Sequence, residues 1–246
     1  MDNTLYVAMS RQMILRRELD IVANNIANAN TAGFKVESLI SETEALSLGK
    51  AKNAGPRNIQ YVLDTGLARD FGQGAMTVTG APLDIAIEGD GFFQINTAGG
   101  ERFTRDGRFT TDATGRIVTA RGDALAGDGG AEITVDPNKG AVAISRDGVV
   151  SQEGVRIGKV GVMRFASLSG LSKDGDGLYR NEGNIPPEAA ADAVVSQGAV
   201  EGSNVQPVLE VTRMLEITRE YERISKLMDQ TAELDRRSIE RLGRVN

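Results

Sequence analysis

Cysteine, histidine and tryptophan are all missing from the 246 residues. With no thiolate and no imidazole the chain can form no disulfide, lacks the usual zinc ligands and cannot build a Ser-His or Cys-His nucleophile. Carboxylates remain as its main acid–base option. A chain without cysteine suits an oxidising exterior as well as a reducing cytosol. Long apolar runs are missing too: nothing approaches the roughly 18 residues of a membrane-spanning helix. Arg11, Arg16 and Arg17 interrupt any apolar segment that could open a secretory signal, and Asp2, Glu18 and Asp20 count against a transit peptide. If the protein leaves the cytosol, the expected route needs no cleaved signal. Positive charge is not in excess, since the net charge is −6 and no Lys/Arg cluster stands out. Nucleic acid and anionic membrane are therefore not expected partners.

What the chain does contain begins at its ends. Leu5, Ala8, Gln12, Leu15, Leu19, Val22, Ile26 and Ala29 follow in steps of three and four, the spacing of one stripe on an α-helix. Arg11, Arg16, Arg17, Glu18 and Asp20 flank it, which predicts an amphipathic helix of about 28 residues, roughly 42 Å long. Asn24, Asn25, Asn28, Asn30 and Gly33 then supply residues that tolerate the left-handed conformation and close a helix. A second stripe runs through Val208, Val211, Leu215, Thr218, Tyr221, Ile224, Met228, Thr231 and Leu234. Ser203 and Gln206 have capping-box spacing ahead of it, and Pro207 suits a first turn. A helix of about 40 residues is far above the average of about 11–12, which argues against an ordinary core element. The two ends are expected to pair with each other.

Between them the period changes. Glu37 to Leu48 has a short helical look and Gly49 to Asn58 reads as a loop. From about Met76 to Phe165 apolar residues alternate, as in Leu83-Asp84-Ile85-Ala86-Ile87-Glu88, and Asp106-Gly107 and Asp147-Gly148 carry hairpin signals. The segment from Gly170 to Gly198 reads as an irregular return path. The fold class is therefore α+β: N- and C-terminal helices pairing as a coiled coil, with an antiparallel β-rich domain inserted between them. The expected divisions are 1–33, a connecting segment 34–75, a β domain 76–165, a return segment 166–202 and a final helix 203–246.

Candidate chemical sites are weak. Gly89-Asp90-Gly91-Phe92-Phe93 fails the phosphate-loop pattern at Gln94 and leads into a strand, so a turn is the better reading. Lys173-Asp174-Gly175-Asp176-Gly177 imitates half a calcium loop but has Tyr179 and Ile185 where Gly and Glu are required. Asp84, Glu88 and Asp90 could serve a carboxylate-dependent hydrolase, although alternating carboxylates are usually the wet face of a strand. No catalytic residue, cofactor, metal or small-molecule substrate is expected.

The run Asn24-Asn25-Ile26-Ala27-Asn28-Ala29-Asn30-Thr31-Ala32-Gly33-Phe34-Lys35 resembles the signature of the bacterial flagellar basal-body rod and hook family. Three further motifs follow in the family's order: Leu83 to Phe93, with Gly89, Gly91, Phe92 and Phe93; Phe103-Thr104-Arg105-Asp106-Gly107; and Gly198 to Val205, with Ser203, Asn204 and Val205. The resemblance covers essentially the whole chain, and the start at Met1 to Met9 looks most like the proximal-rod members. It implies a structural subunit that polymerises head-to-tail into a rigid tube transmitting motor torque across the periplasm. Its partners would be copies of itself, other rod subunits and the flagellar type III export apparatus. A distal-rod or hook paralogue is the alternative reading, and a hydrolase of cell-wall glycan the remote one. The residues expected at the assembly interface are Leu5, Leu15, Leu19, Val22, Ile26, Val208, Leu215, Tyr221, Ile224 and Met228. Near the middle of the last helix, Glu220-Tyr221-Glu222 keeps the family's aromatic residue but changes its neighbour.

Overall fold

The computed structural model describes residues 3–48 and 57–243; Met1, Asp2 and most of the expected 49–58 loop lie outside them. The chain forms two compact units, one made of Met1–Ala27, Glu37–Arg69 and Gln206–Asn246, the other of Asn28–Val36 and Asp70–Val205.

In the first unit, helix α1 (Asn3–Ala27) and helix α2 (Pro207–Gly243) pack together, as the terminal stripes predict. They run antiparallel, because Arg11 pairs with Glu220 at 2.9 Å and Glu18 with Arg213 at 2.8 Å. Leu15, Val22 and Ile217 are buried between them, against Leu19, Ile26, Met214, Tyr221 and Ile224. At 1.5 Å per residue α1 is roughly 37 Å long and α2 roughly 55 Å. The register set by the two ion pairs brings Leu5 level with the region of Met228. Beyond that point α2 overhangs its partner.

The expected helix at Glu37 to Leu48 is instead strand β1 (Glu37–Leu48), paired antiparallel along its length with β2 (Arg57–Arg69). The cause is non-local. Ile59, Tyr61 and Val62 give β2 a β-branched and aromatic character, and a long ladder overrides the weak helical preference of its partner. The register shifts between Ile40 and Ser41, opposite Gly66 and Asp64, which marks a bulge. The capping box also fails. Ser203 Oγ accepts the Val205 amide at 3.1 Å in a local turn, and the helix starts at Pro207 with Glu210 N bonded to Gln206 O.

The second unit is antiparallel throughout. Its shorter strands include β3 (Met76–Val78), β4 (Ile85–Glu88), β5 (Phe92–Thr97) and β6 (Gly100–Thr104). Strand β5 is central, pairing with β6, with Ala124–Leu125 and with Val162–Arg164. Successive side chains on a strand point to opposite faces. Phe93 therefore enters the larger core with Ile85, Ile87, Ile95 and Phe109, meeting the Phe109 ring edge-on at 5.5 Å. Phe92 enters a second cluster with Phe103, Phe165 and Tyr179. One Phe-Phe pair thus anchors both apolar clusters.

Two expectations need correction here. The 166–202 segment is not an irregular path: Leu171–Lys173, Leu178–Asn181, Glu188–Ala189, Val194–Gln197 and Ala199–Glu201 are strands. Val194–Gln197 pairs with β4 and Ala199–Glu201 with β3, partners too distant in sequence for local patterns to reveal. Asp106-Gly107 is not a hairpin turn either, because β6 pairs with Leu178–Asn181 while Arg108 bridges to Asp84. Gly107 allows two backbone segments to cross. A Cβ there would lie 1.5 Å from the Ile85 carbonyl oxygen, and Gly107 O accepts the Ile85 amide at 2.9 Å. At Asp147-Gly148 the hairpin does form, joining Val142–Ile144 to Val149–Gln152 with Gly148 at φ +81°.

Phe93→Ala is expected to destabilise this unit by about 3–5 kcal/mol, through lost transfer energy and the cavity left behind. Urea unfolding followed by circular dichroism should show a lower midpoint with an unchanged slope for that transition.

Candidate functional site: a buried clamp and the helix surfaces

Within the second unit, family motifs that lie far apart in sequence meet at one carboxylate. Glu201 Oε1 receives Lys35 Nζ at 2.5 Å and the Gly74 amide at 2.8 Å, while Oε2 receives Arg105 Nη1 at 3.0 Å. Lys35 also donates to Gly72 O at 2.6 Å, and Arg105 Nη2 to Gly89 O at 2.8 Å. All three charged residues are buried, each 3% exposed or less. Arg105 further lies over the Phe92 ring, 5.3 Å from its centroid. The Glu201 carbonyl accepts the Gly33 amide at 2.8 Å. Gly33 has φ +67°, and a Cβ on it would sit 2.4 Å from the Asp106 amide nitrogen, so glycine is required there.

Asn204 completes the clamp. Its Oδ1 accepts the Val36 amide at 2.8 Å, and its Nδ2 donates to Asp70 O at 2.8 Å and Gly72 O at 3.1 Å. The segments next to three of the chain's crossings between units are thereby bonded to each other inside the second unit. Taking charges out of water is costly, and hydrogen bonds to both carboxylate oxygens offset that cost. Burial pushes the Lys35 ammonium below the usual lysine range, with Arg105 adding to the effect and Glu201 opposing it.

A comparable joint occupies the first unit. Asn25, fully buried, accepts the Glu37 amide at 3.0 Å and donates to Glu37 O at 2.8 Å and Glu210 Oε2 at 3.1 Å. Its side chain copies the two-way bonding of a strand neighbour. Arg69 Nε adds a 2.8 Å bond to Glu37 Oε1. Among the other motif residues, Asn24 and Asn30 are exposed, and Asn28 Oδ1 accepts the Thr31 hydroxyl at 3.1 Å. Phe34 is buried beneath Lys173, whose ammonium stands 4.6 Å from the ring centroid. Gly91 has φ +144°, and a Cβ there would meet Val162 Cγ1 at 2.7 Å. Val205 is buried.

The expected interface residues divide into two groups. Leu15 and Val22 are buried in the helix pair, with Leu19, Ile26, Tyr221 and Ile224 packed beside them, while Leu5 and Met228 are half-buried. Val208 and Leu215 lie elsewhere, 78% and 54% exposed. The stripe of α2 that faces α1 passes through Glu210, Met214, Ile217, Tyr221 and Ile224, so its first half is out of phase with the predicted one. The reason is that α2 carries two apolar stripes there, and the bond from Asn25 to Glu210 selects between them. Other apolar residues are left open on each helix: Val208, Leu209, Val211 and Leu215 on α2, and Tyr6, Met9 and Met13 on α1.

Arg105 and Glu201 stand within the sequence motifs, yet local pattern alone assigns them no role. The usable signal is charge inside an otherwise uncharged motif: Glu201 is the one charged residue from Gly198 to Val205. The carboxylates considered for hydrolysis do not face one another. Asp84 lines a cleft of about 600 Å³ and accepts the Thr79 hydroxyl, whereas Asp90 lines a separate cavity of about 130 Å³. Glu88 is occupied by Ser196.

A pair of helices drawn from the chain's two ends, with apolar helix residues left exposed by that pairing, fits a structural protein that assembles. Comparison with known proteins agrees. The profile described as flagella basal body rod protein matches residues 5–35, that of the flagellar hook protein FlgE/F/G D1 domain residues 86–152, and that of the flagellar basal body rod FlgEFG protein C-terminal residues 196–241. The flagellar basal-body rod protein FlgF of Caulobacter vibrioides is 54% identical over the full length of both chains. FlgF of Mesorhizobium japonicum is 35% identical over 99% of each, and the rod protein FlgG of Bacillus subtilis 32% identical over 94% of this chain and 96% of that one. The chain belongs to the flagellar basal-body rod proteins and is FlgF-like. It is a structural rod subunit, not an enzyme, and assembles with other rod subunits.

Glu201→Gln is expected to cost about 3–5 kcal/mol, because it leaves two buried cations without a counter-charge. Adding Lys35→Met should recover part of that loss in urea unfolding. Lys35 also gives a signed pH effect. With its pKa lowered on folding, the unfolded chain holds more protons between the two values, so this group's contribution to stability rises with pH in that window. The wild type should gain relative to Lys35→Met as pH rises toward the ordinary lysine pKa, and a difference falling with pH would contradict the assignment.

Proposed function

We propose that the subunit belongs to the proximal rod and joins its neighbours through the exposed apolar surfaces of α1 and α2. The observation that carries this reading is the second stripe, Val208, Val211 and Leu215, exposed beside a helix pair whose own buried core is small. An exposed apolar stripe of this kind is a candidate interaction site. Neighbouring subunits contact one another head-to-tail without closing a ring, which generates a helical tube. Packed at crystal-like density, such a tube resists bending and transmits motor torque across the periplasm. The level of identity to FlgF relatives, above that to FlgG, supports the proximal over the distal position. Export through the flagellar type III apparatus without a cleaved signal fits an N-terminal segment whose apolar residues form a helical stripe interrupted by arginines. No helix among the described residues is long and apolar enough to cross a membrane.

The overhanging end of α2 and the small core of the pair predict that both terminal segments gain much of their order on assembly. In the isolated subunit their amides should exchange with deuterium faster than those of β5; equal protection would contradict this. Electron microscopy of basal bodies from cells deleted for this gene should show rods that stop short and lack later axial parts. Leu215→Asp should reproduce that defect while leaving the unfolding of the β unit unchanged. Complete rods in the deletion strain would reject the rod reading, and normal rods with Leu215→Asp would reject the helix surface.

A further inference from the structure

Nearly every buried polar atom of a folded chain has a hydrogen-bond partner, so each exception asks for a reason. Among the described residues four buried side-chain atoms have none. Two of these, Arg105 Nε and Arg164 Nε, belong to residues that line one cavity of about 130 Å³ in the second unit. Each guanidinium is held by its other end. Arg105 Nη1 donates to Glu201 Oε2 at 3.0 Å and Nη2 to Gly89 O at 2.8 Å, and Arg164 Nη2 donates to Asp192 Oδ1 at 2.8 Å.

Water would accept from both donors but would leave a charge uncompensated. Lys35 and Arg105 share the single carboxylate of Glu201, so the buried clamp carries one excess positive charge. Arg164, by contrast, is balanced by Asp192. Guanidinium groups pair best with carboxylate or phosphate oxygens, and the lining of the cavity separates the two. Asp90 is the third polar side chain in that lining, and it repels a dianion more than a monoanion. The remaining wall side chains, Phe71, Phe92, Phe165 and Leu168, are apolar and suit carbon rather than further oxygens. Asp90 is exposed and Leu168 is 36% exposed, so the cavity opens to the surface.

We propose that this cavity binds a carboxylate, received by Arg105 Nε and Arg164 Nε, with its carbon stem against the aromatic wall. The bound charge completes the Glu201 clamp from outside, since Arg105 belongs to both. A ligand there is therefore tied to the bonds that hold Lys35, Gly74 and Glu201 together. The carboxylate is that of a free small acid or of an acidic side chain on a neighbouring rod subunit. Only the second source rests on the assembly inferred above.

Acetate is the probe. The melting midpoint of the purified full-length subunit should rise, and the rise should saturate, as sodium acetate replaces sodium chloride at constant ionic strength, because a ligand bound only by the folded state stabilises it. Arg164→Lys keeps the charge but removes the Nε donor, and Arg164→Gln removes both. Each variant should still melt cooperatively in chloride and should lose most of the rise in acetate. Asp90→Ser removes the repelling carboxylate and should bring half-saturation to a lower acetate concentration. A wild-type midpoint that is the same in acetate and chloride would overturn the proposal and leave the rod reading intact. A rise that survives unchanged in both Arg164 variants would mark a general salt effect and overturn it equally. Basal bodies then distinguish the sources of the carboxylate. Incorporation of Arg164→Gln at the wild-type level assigns the cavity to a free acid, whereas its exclusion, with melting in chloride unchanged, assigns it to a side chain of a neighbouring subunit. Absence of the wild-type chain from basal bodies would instead be a failure of the rod reading itself, and acetate binding would stand.

Discussion

The Glu201 carboxylate is the constraint on which the second unit depends. It joins residues 166 positions apart, and it does so in the buried interior, where each lone pair needs a donor. Lys35, Arg105 and the Gly74 amide supply those donors, and each is fixed by its own segment. Lys35 follows a left-handed glycine, Arg105 follows β6, and Gly74 precedes β3. An apolar residue could fill the same volume. It could not require that three particular segments arrive together, and that requirement is what a buried ionic cluster adds to a core.

The helix unit is held differently. Its apolar core is short, its ion pairs are partly exposed, and pairs of that kind contribute about 0–1 kcal/mol each. Asn25 is the specific element, because its amide bonds both to the backbone of β1 and to Glu210. That single side chain favours the stripe of α2 that faces α1, and Val208, Val211 and Leu215 stay exposed. One unit is thus specified by dense packing and buried charge, the other by one amide and a register.

Much of this is legible in the sequence, and the failures share a cause. The helical periods at both ends and the alternation of Leu83 to Glu88 are local signals, and the structure follows them. The Phe92-Phe93 pair stands out as part of a motif, but its division between two cores depends on strand partners far away in the chain. The same holds for Glu37 to Leu48, whose strand state depends on Arg57–Arg69, and for the strands after Gly170. Asp106-Gly107 has the composition of a hairpin turn, yet Gly107 is needed because Ile85 passes against it. The predicted stripe of α2 is one face out in its first half, since Val208, Val211 and Leu215 are as apolar as the residues that are buried. Periodicity reports that a face is apolar; it does not say which neighbour takes it.

The clamp has a consequence for how such a chain can be altered. The segments leading into and out of the second unit are bonded to each other within that unit, so a change at one of its exposed turns leaves those bonds untouched. The tip at Glu153-Gly154, with both residues at positive φ, closes a hairpin between Val149–Gln152 and Val155–Lys159 and faces solvent. Lengthening a flexible loop costs only about 0.6 kcal/mol per doubling. The tip is therefore a place where the chain accepts added length: a peptide tag or a whole inserted domain there would leave the Glu201 clamp as it is.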